Sequence, residues 1–155
     1  NISIIKLTTT KTFEQLDLSF FFNYNIFPDN ILIFETQWNL ENRKMKEGDT
    51  IVQQVYIPPV KTISQKLIFG VRIKEIINEP NKKGFSYETL EGHVEKGISV
   101  FTVEQENSEL IFKIHTWSAP GNLLAQMLGP VFSRPYQRFC TKKALQYGKM
   151  QIERQ

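Results

Sequence analysis

The sequence carries one cysteine, Cys140, and only two histidines, His93 and His115, in 155 residues. A single thiol excludes an intramolecular disulfide and any multi-cysteine zinc site, and such scarcity fits a reducing compartment. No stretch of about 18 apolar residues is present to cross a membrane as a helix. Residues 1–12 lack the basic start, apolar middle and small-residue cleavage site of a signal peptide, so the expectation is a cytoplasmic protein. The chain also lacks a nucleophile elbow, a phosphate-binding glycine loop, a dinucleotide glycine series and zinc-ligand spacing. No cofactor and no metal is therefore assigned. Alanine is scarce, which disfavours an idealised helix bundle.

Aromatic residues are abundant instead. Twelve Phe and five Tyr, with 41% hydrophobic and 23% charged residues, give a globular balance and favour strands with broad apolar walls. The length suits a single domain over 1–155, since a chain of this size buries roughly 70% of its unfolded surface. The net charge of +3 is mild. Its densest cluster, Arg134, Arg138, Lys142, Lys143 and Lys149, alternates with apolar residues and reads as the solvated face of a helix. No nucleic-acid partner is expected, and nothing in the composition sets an oligomeric state.

Along the chain, Ile2–Leu7 is strand-forming and a short helix is expected near Thr12. Phe20, Phe21, Phe22, Tyr24, Ile26 and Phe27 form an aromatic patch read as core material or a pocket wall. Leu32, Phe34, Thr36 and Trp38 then share one face of a strand, and Ile51, Val55 and Ile57 build the next. From Gln65 to Asn78 the alternation places Phe69, Val71, Ile73 and Ile77 on one face, with Arg72 and Lys74 on the other. Asn81-Lys82-Lys83-Gly84 reads as a turn, because Asn and Gly tolerate positive φ. Phe85–Leu90, Ile98–Glu106 and Leu110–Trp117 follow as three strands of an antiparallel meander. Beyond Gly121 the period becomes helical: Leu128, Phe132, Tyr136, Cys140, Ala144 and Tyr147 recur at steps of three or four. Pro130 and Pro135 predict a break there, with a cleaner helix from about Pro135 to Met150. The fold class is α+β.

The stretch from Phe85 to Gly97, with its Thr89-Leu90-x-Gly92-His93-x-Glu95 core, and the following Phe101-Thr102-Val103 resemble the signature of the DUF1990 proteins, a family without an assigned function. Ser118, Pro120, Gly129-Pro130, Gln137 and Tyr147 extend the resemblance over roughly residues 45 to 150. Glu88 and Val94 depart from the usual Gly and Pro, Ile98 and Ser99 stand where an acidic pair is common, and Ala119 replaces an Arg. The resemblance implies a START-like (Bet v 1-like) helix-grip fold. In it, a curved antiparallel sheet of about six or seven strands wraps a long C-terminal helix and leaves room for a cavity between them.

Two functional readings follow. In the first, the chain is a binding module that encloses a small apolar or amphipathic ligand. Its walls are Phe69, Tyr87, Phe101, Trp117 and Leu128, with His93 and Glu95 as orienting groups. In the second, it is a small-molecule enzyme in which His93 and Glu95, two apart on an extended segment and so pointing the same way, act as acid and base. The same pair also suits a structural role beside Gly92, and one His with one Glu is too few for a zinc site. His115 shares its strand face with Lys113 and Trp117, opposite Phe112 and Ile114, and reads as solvent-facing. Cys140 reads as a small buried hydrophobe.

Overall fold

The structure, a computed structural model, describes the backbone of residues 1–57, 62–90, 97–118 and 130–155, with their side chains except those of 118 and 130–133. Seven strands form one antiparallel sheet: β1 (Ile2–Leu7), β2 (Leu32–Thr36), β3 (Thr50–Ile57), β4 (Gln65–Glu79), β5 (Lys82–Thr89), β6 (Gly97–Glu106) and β7 (Glu109–Ser118). Their spatial order is β1-β7-β6-β5-β4-β3-β2. From β2 to β7 each strand pairs with its sequence neighbour, and β1 returns to the far edge beside β7. Among the described residues, a 3-10 turn at Phe13–Gln15, two short helices, α1 (Ser19–Phe22) and α2 (Gln37–Leu40), and a long C-terminal α3 (Pro130–Glu153) accompany the sheet in an α+β architecture.

Alternation divides the sheet into two faces. Register carries the inner row Ile73, Tyr87, Ser99 and Thr116 across β4 to β7, and the next row Ile76, Phe85, Phe101 and Ile114 beside it. Two layers cover this face. The segment from Phe13 to Ile31 supplies buried Phe13, Leu16, Leu18, Phe21, Tyr24 and Ile26. The Phe21 ring meets Phe85 and Phe112 edge-on, each at 5.4 Å. Helix α3 packs on β1 and β7 and buries Ala144, Leu145 and Ile152. Its end is tied to the rest of the chain, as Thr8 N donates to Glu153 Oε1 at 2.6 Å and Gln155 Nε2 to Asp17 O at 2.7 Å.

Several local expectations change. The register shifts between Ile73 and Glu75, so that Ile76 rather than Ile77 lies opposite Phe85 and packs against the core cluster, while Ile77, itself buried, pairs with Gly84. An extra residue in one strand reverses the facing of all that follow it. The β4–β5 turn is Pro80-Asn81, and Gly84 lies within β5. Glycine is required there by close approach rather than by turning: a Cβ would stand 2.0 Å from the Phe101 carbonyl oxygen. At the β6–β7 hairpin, Asn107 and Ser108 take φ of 47° and 67°. Two positive φ values suit the right-handed twist of the flanking strands. Trp38, placed on a strand by its alternation, is buried in α2.

No break occurs at Pro135, which lies inside the continuous α3. Proline at that position removes one amide donor, to the carbonyl of residue 131. The turn that follows is fastened elsewhere, since the Tyr136 hydroxyl donates to Tyr56 O on β3 at 2.8 Å.

Candidate functional site

The two covering layers leave a gap. Between them and the sheet lies a cavity of about 180 Å³. Its floor is the inner face of the sheet: Leu32, Val55 and Phe69 from β2 to β4, and Tyr87, Phe101 and Ile114 from β5 to β7. Phe27 and Ile31 come from the first covering layer, and Tyr136, Gln137, Cys140 and Thr141 from α3. The helix residues follow from their spacing, because positions 136–137 and 140–141 stand one turn apart.

The aromatic walls pack on one another before they meet the cavity. Phe101 stacks on Phe85 at 5.3 Å between centroids, and Tyr87 leans on Phe101 at the same separation. Behind them, Gln53 Nε2 donates to the Tyr24 hydroxyl at 2.7 Å. Tyr24 is fully buried at φ 64°, a conformation that bulky residues avoid, and rings of Phe27, Phe34, Phe85 and Tyr87 hold it there. Burial pushes its phenol well above the ordinary value.

Polar groups enter at two places. Ser99 Oγ and Thr116 Oγ1 are cross-strand neighbours 3.2 Å apart on the floor. On the helix, burial pushes the Tyr136 phenol up, with the adjacent Cys140 thiol adding to the shift. Burial likewise raises the Cys140 thiol to about 11. A thiol in that range is protonated at neutral pH and is a poor nucleophile. The first amino group, on Asn1, donates to the Thr116 carbonyl at 2.7 Å beside the cavity.

The structure brings Phe69, Tyr87 and Phe101 together around one space. Trp117 is not with them. Alternation along β7 sends Ile114 and Thr116 inward and therefore Trp117 outward, where it is 51% exposed and its ring lies 3.5 Å from that of His115. Partial desolvation, followed by the positive charges of the Asn1 amino group and Lys113, lowers the His115 pKa. His93, Glu95 and Leu128 lie outside the described residues. Arg134, Arg138, Lys142 and Lys143 are exposed on α3, while Lys149 donates to Lys6 O at 2.9 Å.

Sequence reasoning missed Ser99 and Thr116 as site residues. Their signal was available, since each sits two positions from an inner apolar residue, Phe101 and Ile114, and two such steps preserve facing. Among the described residues, no group of three His, Cys, Asp or Glu side chains is placed to hold a metal ion, and no helix is long and apolar enough to cross a membrane.

Residues 21–147 match a family model described as a domain of unknown function, DUF1990. No curated protein and no solved structure is detectably similar to the chain.

Proposed function

The chain belongs to the DUF1990 family, and because that family has no assigned function we propose one from the geometry: the domain holds a small apolar or amphipathic molecule between its sheet and α3. The observation that carries this reading is the cavity itself. It is walled by Phe69, Tyr87 and Phe101 and roofed by Tyr136 and Cys140. Protein interiors are otherwise packed with few voids larger than a water molecule, so an aromatic-lined space of this volume is a natural receptor for apolar matter.

Cys140 provides the test, because it is the sole thiol and it lines the cavity. Labelling with iodoacetamide at pH 8 is followed by mass spectrometry, with and without a chemically broad set of small apolar molecules. Occupants of the cavity slow the labelling. Native mass spectrometry of gently purified protein provides a second readout, as a co-purifying mass. Labelling that no compound slows, together with a bare protein mass, counts against the reading.

A further inference from the structure

We propose that the occupant is a neutral single-ring compound bearing one oxygen function, oriented by the Ser99–Thr116 hydroxyl pair; this rests on the binding reading above and narrows it.

Size comes first. An apolar cavity of roughly 150 Å³ accommodates benzene, and the present one is about 180 Å³. The difference leaves room for a substituent or two on one ring. An extended acyl chain or a fused-ring sterol would not fit within the cavity and would have to project through its open side into solvent.

Charge is decided by the lining. Among the described residues the cavity carries no carboxylate, ammonium, guanidinium or imidazole side chain. Among the described residues, the one charge at its lining is the Asn1 amino group, which is exposed to solvent and donates one hydrogen bond to the Thr116 carbonyl. A cationic ligand would find no partner, and an anionic one only this solvent-screened amine, whose attraction of about 0–1 kcal/mol does not offset several kcal/mol of lost hydration. A neutral ligand avoids that cost.

The oxygen function follows from counting protons. Ser99 and Thr116 each own one hydroxyl hydrogen, and their mutual bond at 3.2 Å uses one of the two. The other has no acceptor among the described residues. The pair therefore presents one donor and spare lone pairs from a floor that is otherwise apolar at Phe69, Phe101 and Ile114, facing Tyr136, Gln137 and Thr141 on the helix side. A hydroxyl or carbonyl on the ligand satisfies it, and a plain hydrocarbon leaves it unpaired.

The experiment measures binding of phenol, cyclohexanol, toluene, benzoate and decanoate by amide chemical-shift titration at pH 7. Phenol and cyclohexanol bind, and toluene binds about tenfold more weakly, the value of one neutral hydrogen bond. Benzoate and decanoate do not bind. In Thr116→Val, which keeps the shape and removes the hydroxyl, the preference for phenol over toluene falls several-fold while toluene affinity is retained. Ser99→Ala repeats the measurement from the other strand and serves if Thr116→Val does not fold. Equal affinities for phenol and toluene, or tighter binding of benzoate or decanoate than of phenol, overturns this inference and leaves the cavity reading standing. Absence of binding by all five compounds overturns the inference; if Cys140 labelling is also unaffected by every compound in the broader set, the cavity reading falls with it.

Discussion

Gly148 lies on the face of α3 that meets the sheet, and replacing it with alanine sets two opposing effects against each other. Alanine is the better helix former by about 1 kcal/mol. A Cβ at this position, however, would stand 2.5 Å from Phe112 Cε1 and 2.8 Å from Cδ1, against a resting carbon separation of about 3.5–4.0 Å. Phe112 is fully buried, and its ring is held by the edge-on contact with Phe21, so it has little room to swing aside. Overpacking of this kind costs about 1–3 kcal/mol, and an overlap of this depth belongs at the upper end. Gly148→Ala is therefore expected to destabilise by about 1–2 kcal/mol, or about 3–6 °C in Tm for a chain of this size. Urea unfolding followed by circular dichroism should show a lower midpoint with an unchanged slope. In a Phe112→Leu background the obstacle shrinks, and the same exchange should turn neutral or stabilising. A parent protein stabilised by Gly148→Ala would refute the reasoning, because α3 would then not seat on Phe112.

Two further outcomes are expected. Tyr24→Phe removes the acceptor of the buried Gln53 amide and should cost about 1–3 kcal/mol in urea unfolding, with the native fold retained; an unchanged midpoint would show that Gln53 finds another partner. Asp49 is gripped by Arg43, whose Nη1 and Nη2 each donate at 2.7 Å, and by Lys46 N at 2.8 Å, and the Arg43 fork holds the carboxyl below its usual range. Because the folded value is lowered, the stability Asp49 contributes is present above the unfolded value near 3.9 and is lost as pH falls through the folded one. Asp49→Asn should thus lower the urea midpoint at pH 7, with the gap to the parent narrowing below about pH 4; a gap that does not change with pH would contradict this.

Much of the sheet was legible because alternation is a local property. Phe69, Tyr87 and Phe101 each fall on a simple period-2 run, and all three reach the same cavity. Ile77 was misplaced because a bulge is one additional residue with no compositional mark in Arg72-Ile73-Lys74-Glu75. Trp117 was misplaced for a different reason: its hydrophobic bulk suggested a wall, while its parity with His115 already directed it outward. Gly84 reads as a turn residue in a line of text, and only the approach of β6 shows that it is a spacing residue. The Ser99–Thr116 pair depends on registering two strands against each other, information that neither segment holds alone.

The position of β1 has a kinetic meaning. Strands β2 to β7 each meet a sequence neighbour, so their pairing closes short loops. β1 instead pairs with β7, as where Lys6 meets Glu109 across 103 residues, and it is clasped by the end of α3 through Glu153. Contacts between such distant parts of a chain form late and slow the whole reaction. On a ribosome, β1 emerges well before its partner and waits unpaired until β7 has been made, with exposed Ile2 and Ile4 on one of its faces. The stretch from residue 2 to residue 7 thus stays open to chaperones and to mispairing while the rest of the sheet is being made.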